Sequence, residues 1–213
     1  LIDGISVFEN SVQSFQKYFS TDKFLFLVRS DYNAADFVRE NVQKMGILDY
    51  SIIVFSEETQ GQADTVYQGL AKASSYISVD EPIYIFNIDT FRPGFVKSPQ
   101  SAKDGYLEVF EGEGTHWSFA LAGEAGRVLR TAEKERISDL CSNGLYYFRT
   151  PAIFNEAFED SLERDLKAKG EYYIAPLYNY LIEKGLSVGY ELIPAEEIVF
   201  CGTPEEYHAL LPV

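Results

Sequence analysis

A short apolar run, Ile83-Tyr84-Ile85-Phe86-Asn87-Ile88, leads into Asp89 and Thr90. A buried strand over Ile83–Ile88 that ends in an acid puts a carboxylate at the strand's carboxyl end, where open α/β sheets hold ligands and metals. One carboxylate, with water and phosphate oxygens in the remaining positions, is the usual way magnesium is bound. An ion there would spread the negative charge on bound phosphate oxygens. The plainer alternative is a strand-end Asp making a turn with Thr90, but so apolar a strand is a poor candidate for a bare solvated end.

Three further groups could do chemistry. Gln60-Gly61-Gln62 lies between a strand and a helix whose first turn contains Asp64. Gly61 lets the backbone approach a planar ligand, and a Gln side chain offers both a donor and an acceptor. A plain turn before an amphipathic helix is the alternative. Glu133-Lys134 follows a strand containing Val128 and Leu129, and the lysine is a compact positive charge able to meet a phosphate. A surface ion pair in the run Glu133-Lys134-Glu135-Arg136 competes with it. Asn143-Gly144 would open the backbone amides to a ligand's hydroxyls, or would simply form a turn before a strand. His116, Trp117 and the Tyr146-Tyr147 pair read as packing, since aromatics at strand spacing are more often core than platform. His208 reads as a solvated face. Two histidines and two cysteines give no nucleophilic triad.

Bulk composition bounds the class. The 213 residues, 46% of them hydrophobic, can fill one sizeable core, and 33 acids against 18 Lys and Arg give a formal charge of -15 that would repel a nucleic-acid backbone. The same charge means that a phosphate ligand needs a divalent cation and a local Lys or Arg. Cys141 and Cys201 are too few and too far apart for a disulfide framework or a zinc site, which fits a reducing cytoplasm. No apolar run approaches the roughly 18 to 20 residues that span a bilayer, and no signal-peptide pattern opens the chain.

The elements that must position these groups follow from periodicity. Ile5, Phe8, Val12, Phe15 and Phe19 share one helical face; Lys23–Arg29 is a continuous apolar strand; Ala34 to Met45 is a second helix, capped by Gly46; Tyr50–Phe55 is a second strand. Ala63 to Ala73 forms a third helix before the strand at Ile83–Ile88. Strands alternating with helices imply parallel pairing and a layered α/β sheet. Beyond residue 100, Gly105–Phe110, Trp117–Ala122 and Gly126–Arg130 are short segments between glycines, suited to antiparallel pairing, with a further strand at Leu145–Phe148. Thr150-Pro151 opens a helix, Leu177–Lys184 is a shorter one stopped by Gly185, and Thr203-Pro204-Glu205-Glu206 is a capping box. No linker divides the chain, so a single domain over 1–213 is expected, with halves of about 1–100 and 101–213.

Four segments together resemble the sugar-phosphate nucleotidyltransferase family, especially its branch of capsule and surface polysaccharide synthesis. They are Thr59-Gln60-Gly61-Gln62-Ala63-Asp64-Thr65; Phe86-Asn87-Ile88-Asp89-Thr90; Glu133-Lys134 with Ser142 to Phe148; and Gly202-Thr203-Pro204-Glu205-Glu206-Tyr207. The resemblance implies a three-layer α/β sandwich with a mostly parallel mixed sheet, glycosyltransferase-A-like, with an antiparallel acceptor-side extension. It implies a reaction in which a sugar 1-phosphate attacks the α-phosphorus of a nucleoside triphosphate and releases pyrophosphate, with Mg2+ as cofactor. By resemblance Asp89 holds the metal, Gln60, Gly61 and Gln62 contact the base, Lys134 meets the acceptor phosphate, and Glu133, Asn143 and Gly144 contact the sugar.

Two departures stand beside the match. The family begins with a strand, a Gly-rich loop containing an Arg, and a Lys shortly before the segment matching Leu1 to Gly4; in the family that strand lies between those matching Phe24–Val28 and Ile83–Ile88. A second metal-binding Asp of the family stands two residues before the Gly-Thr-Pro turn, where this sequence has Phe200, leaving Glu196, Glu197 or Asp89 alone to serve. A glycosyltransferase using a nucleotide sugar, with Asn87-Ile88-Asp89 as its metal motif, and a non-catalytic nucleotide- or sugar-binding domain are the competing expectations. Base, acceptor and oligomeric state stay open at this level.

Overall fold

The computed structural model describes residues 1–2 and 4–211; Asp3, within the Leu1 to Gly4 segment, lies outside them together with Pro212 and Val213. In chain order the elements are α1 (Val7–Gln13), β1 (Lys23–Arg29), α2 (Ala34–Met45), β2 (Asp49–Phe55), α3 (Gln62–Lys72), β3 (Ile83–Ile85) and β4 (Thr90–Phe91). They continue with β5 (Gly105–Glu111), β6 (Ser118–Ala122), β7 (Val128–Glu133), β8 (Leu140–Phe148), α4 (Pro151–Glu163), α5 (Tyr178–Glu183), β9 (Val188–Leu192), β10 (Val199–Phe200) and α6 (Pro204–Ala209). This is an α/β fold with a mixed sheet.

The described residues divide into two compact units. The first comprises Leu1–Ser56, Asn87–Lys97 and Glu196–Val213. In it β1 and β2 pair in parallel from Lys23↔Asp49 to Arg29↔Phe55, and α1 and α2 bury Val12, Val38 and Val42 against Phe24, Phe26 and Ile52. Gly46 ends α2 in the left-handed conformation at φ 78°, which a β-carbon disfavours. The helical spacing from Ile5 to Phe19 is realised as α1 followed by a separate short turn at Gln16–Tyr18. Beyond Gln13 the Ser14 hydroxyl accepts from the Arg92 N–H at 2.8 Å. Antiparallel β4 and β10 pair Thr90 with Phe200 and Phe91 with Val199.

Glu9 closes the capping box of α1 and is held tightly. Its carboxylate accepts from the Ser6 N–H at 3.0 Å, the Ser6 hydroxyl at 2.8 Å and Lys44 Nζ at 2.8 Å. These bonds, led by that from Lys44, hold its pKa down from 4.5 to about 2. A depressed carboxylate pKa contributes stability above the unfolded value and loses it as pH falls through the folded one. The melting temperature should therefore fall more steeply between pH 4.5 and about 2 in the native chain than in Glu9→Gln. Parallel acid profiles for the two would exclude this contribution.

The second unit comprises Glu57–Phe86 and Ser98–Ala195. Its sheet has the order β7-β6-β8-β5-β9, with β3 pairing β8. All pairs are antiparallel except β5–β9, which runs parallel from Gly105↔Val188 to Val109↔Leu192. Aromatic side chains fill the core: Phe148 stacks on Tyr178 at 4.7 Å between ring centroids, and Tyr147 on Tyr106 at 5.1 Å. Tyr146 and Tyr147 are both buried, as packing predicts.

Two expectations are corrected here. The strand expected over Ile83–Ile88 stops at Ile85 and pairs antiparallel with β8 rather than in parallel. Past Ile85 the chain leaves the ladder, with no regular structure at Phe86 and Asn87 and a turn at Ile88 and Asp89. The strand expected over Leu145–Phe148 begins at Leu140, so Asn143-Gly144 lies inside it and not in a turn before it. Leu107 faces Tyr146 while Val109 faces Ser142, a bulge that takes up the extra residues, with Gly144 at φ 89°.

Candidate active site

In the first unit Asp89 lies in the turn that leads into β4, four residues past the end of β3, and is exposed. The Thr90 hydroxyl reaches its Oδ1 at 3.5 Å, a weak bond. Its backbone carbonyl accepts from the Cys201 N–H at 2.9 Å, which fixes the turn to the residue after β10. A β-carbon on Gly202 would stand 3.1 Å from Asp89 Oδ2 and 3.8 Å from Glu206 Oε2. Glycine therefore keeps the space beside the Asp89 carboxylate clear. Glu206 Oε2 accepts from the Gly202 and Thr203 N–H groups at 2.9 and 3.0 Å, as the capping-box spacing predicts.

An exposed, lightly bonded carboxylate with a cleared flank fits one ligand position of a hard cation completed by water and phosphate oxygens. Among the described residues no group of three or more His, Cys, Asp or Glu could cage a metal by itself. Phe200, where the resemblance led to an expected second acid, pairs across from Thr90. Glu197 is committed to Arg92 at 2.9 Å. Glu206, not Glu196 or Glu197, is the acid set against Gly202 alongside Asp89.

In the second unit the remaining candidates fall into two groups joined by one segment. Gly61 precedes α3 at φ 121° and ψ 177°, where an added β-carbon would stand 2.6 Å from Tyr172 O and 2.7 Å from Tyr172 N. The close neighbour is thus the Tyr172 backbone. Tyr172 N–H donates to Gln60 O at 2.8 Å, and Tyr172 O accepts from the Ala63 N–H at 3.0 Å, satisfying one of the first-turn amides that a helix cannot pair internally. Asp64 folds back from that turn, its Oδ2 accepting from the Gln60 N–H at 2.7 Å. The Gln60 side chain accepts from Lys167 Nζ at 3.1 Å, and Gln62 is the first residue of α3.

Glu133 is the last residue of β7, and Lys134 follows at φ 55° with its N–H on Trp117 O at 2.9 Å. Within the run Glu133-Lys134-Glu135-Arg136, Glu135 pairs with Arg130 at 3.1 Å and Arg136 with Asp139 at 2.6 Å, while Glu133 and Lys134 find other partners. Ser118, opposite Glu133 on β6, donates its hydroxyl to Glu133 Oε2, and burial pushes the Glu133 pKa up. Ser118 Oγ also lies 3.3 Å from the Tyr146 hydroxyl, whose pKa burial raises to about 12. Lys134 Nζ donates to the Tyr173 hydroxyl at 2.5 Å, and that bond raises the lysine pKa.

Asn143 is buried, its Nδ2 donating to Glu108 Oε2 at 2.9 Å and its Oδ1 accepting from the Leu145 N–H at 3.0 Å. The Asn143 side chain is thereby spent on holding the bulge that carries Gly144. Ser118, Lys167, Tyr172 and Tyr173 escaped the sequence reading. Their roles come from partners far away along the chain, and no short spacing marks them. A cavity of about 530 Å³ beside β7 is lined by Glu133 and Lys167 together with the ion-paired Arg130, Asp160, Arg164 and Glu183.

No protein-family model and no curated protein matches the chain. Among solved structures, the inositol-1-phosphate CTP transferase from T. maritima superposes with a TM-score of 0.69 at 13% identity, over 99% of this chain and 83% of that one. The CTP:phosphocholine cytidylyltransferase from Streptococcus pneumoniae gives 0.67 at 11% identity, over 99% and 86%. At such identities the likeness is one of fold. The nucleoside-diphosphate-sugar pyrophosphorylase from Vibrio cholerae RC9 is similar at another level, with a TM-score of 0.95 and 46% identity over 99% of this chain and 89% of that one. With that identity sustained across both lengths, the chain belongs to the nucleoside-diphosphate-sugar pyrophosphorylase family of nucleotidyltransferases.

Proposed function

We propose that the protein joins a nucleoside monophosphate, taken from a nucleoside triphosphate, to a sugar 1-phosphate or similar phosphorylated acceptor in the synthesis of surface-polysaccharide precursors. An acceptor phosphate oxygen forms a bond to the α-phosphorus, the bond from that phosphorus to the bridging oxygen of the β-phosphate breaks, and pyrophosphate leaves. The observation that carries the reading is a lysine ammonium held charged at the end of β7 beside a half-buried carboxylate, in a chain 46% identical to a nucleoside-diphosphate-sugar pyrophosphorylase.

Lys134 would meet the acceptor phosphate, and Glu133 would accept from the sugar hydroxyls; the buried Gly144 N–H already donates to Ser142 Oγ at 3.1 Å, so Gly144 would shape the strand beside the sugar. Asn143 acts on that contact through the bulge rather than by touching the sugar. The Gln60–Gln62 loop would take the base edge. Asp89 would hold Mg2+, which when bound neutralises charge on the phosphates. Among the described residues no helix is long and apolar enough to cross a membrane.

The test is pyrophosphate release by the full gene product across a panel of triphosphates and sugar 1-phosphates. Lys134→Met is expected to raise the acceptor KM about 10- to 100-fold, the worth of a charge-assisted bond to phosphate, with little change in the triphosphate KM. Turnover of a nucleotide sugar without any pyrophosphate chemistry would overturn the assignment.

A further inference from the structure

We infer that Tyr173 is the positioning residue that sets the Lys134 ammonium for the acceptor phosphate; the inference rests on the role proposed above for Lys134. A lysine carries a strongly hydrated point charge on a flexible four-carbon stem, and confining it at the moment of binding costs side-chain entropy. Here the confinement exists beforehand. At the backbone, Lys134 is held at φ 55°, a conformation unfavourable for a residue with a β-carbon, by its N–H bond to Trp117 O at 2.9 Å. At the far end, Nζ donates to Tyr173 Oη at 2.5 Å while standing 4.4 Å from the centre of the Tyr173 ring. The distance to the ring follows from the bond to the hydroxyl, which lies beyond the ring edge, so the tyrosine holds the cation by its hydroxyl. An ammonium has three donors, so the bond to Tyr173 leaves two to point at phosphate oxygens.

Tyr173 is itself anchored through its neighbour. Tyr172 makes the two backbone bonds that clasp the loop at Gln60 and Ala63, and Lys167, from the same segment, both bonds the Gln60 side chain and lies 4.9 Å over the Tyr172 ring. Two adjacent tyrosines therefore fix, within one unit, the loop read as the base contact and the lysine read as the phosphate contact. The bond that holds the ammonium and the clasp that holds the loop thus come from adjacent residues of one segment.

The experiment compares Tyr173→Phe, Tyr173→Leu, Lys134→Met and the Tyr173→Phe/Lys134→Met pair in the full gene product, by steady-state kinetics with both substrates varied and by melting temperature. Tyr173→Phe keeps the ring and loses the hydroxyl; it is expected to raise the acceptor KM about 3- to 10-fold, and Tyr173→Leu, which loses the same hydroxyl, to raise it by a similar factor. Triphosphate KM and melting temperature should stay near native for Tyr173→Phe. The double variant should bind acceptor no more weakly than Lys134→Met alone, because a positioning residue has nothing left to position. An unchanged acceptor KM in Tyr173→Phe beside a raised one in Lys134→Met overturns the inference and leaves the reading of Lys134 standing, as do additive losses in the double variant. An unchanged acceptor KM in Lys134→Met overturns both.

Discussion

Asp89→Asn should lower kcat for pyrophosphate release by about 100- to 1000-fold, the usual loss when one preorganised electrostatic stabiliser of a transition state is removed, and should leave the melting temperature close to native. The two halves of that expectation come from one geometry. Asp89 is exposed, its side-chain bond to Thr90 is long, and its turn is held by backbone through Cys201. An amide of the same shape therefore disturbs no packing, and surface substitutions of this kind stay within about 0.5 kcal/mol. The loss is of charge alone, and charge is what a hard cation requires. The matching measurement is Mn2+ affinity in the presence of a non-hydrolysable triphosphate, followed by electron paramagnetic resonance, which should weaken in parallel. Glu206→Gln offers a graded comparison, since Gln preserves the capping-box acceptor for the Gly202 and Thr203 amides while removing the second negative charge beside Gly202. Native turnover and native Mn2+ affinity in Asp89→Asn would remove the metal from this turn.

Local rules reached far into the architecture where the chain carries its own punctuation. Strand β1 and helix α2 have the bounds that their sequence announces, because Lys23 and Arg29 flank a continuous apolar run and Gly46 supplies a left-handed cap. The capping box of Thr203 and the Thr150-Pro151 start of α4 hold for the same reason. What escaped was non-local. Strand β9, Val-Gly-Tyr-Glu-Leu, has no clean alternation and exists because β5 offers a parallel partner. The first half of β8 contains Ser142, Asn143 and Gly144, residue types that signal a turn; burying them is made possible by the Asn143–Glu108 bond and the bulge, neither visible in a linear pattern.

The site divides the same way. Residue types named the carboxylate, the lysine and the glycine loop, since charge and backbone freedom are properties of single residues. Their partners were illegible: Tyr173 for Lys134, Ser118 for Glu133, and the Tyr172 backbone for Gly61 are tertiary contacts. Exposure of Asp89 agreed with the expectation, but the reason differs. It sits in a turn beyond a three-residue strand, not at the mouth of a long one.

Gly61→Ala is expected to destabilise the protein by about 3 kcal/mol or more, combining backbone strain with forced overpacking, which for a chain of this size lowers the melting temperature by roughly 6 to 12 °C. At φ 121° and ψ 177° the backbone lies in a region that is in practice reserved for glycine. A β-carbon there would also stand 2.6 and 2.7 Å from the oxygen and nitrogen of Tyr172. Those atoms cannot give way cheaply, because they are the ones bonded to Ala63 and Gln60. Gly46→Ala is the control: that glycine also has a positive φ, 78°, but nothing stands within 4 Å of the added carbon, so it should cost about 1 kcal/mol of strain alone. Relief of the clash in Gly61→Ala must part the loop from the segment carrying Tyr172 and Tyr173, so the surviving folded enzyme should show raised KM values for both substrates. A melting temperature within about 2 °C of native, with both KM values unchanged, would mean that the clasp yields freely and does not position the site.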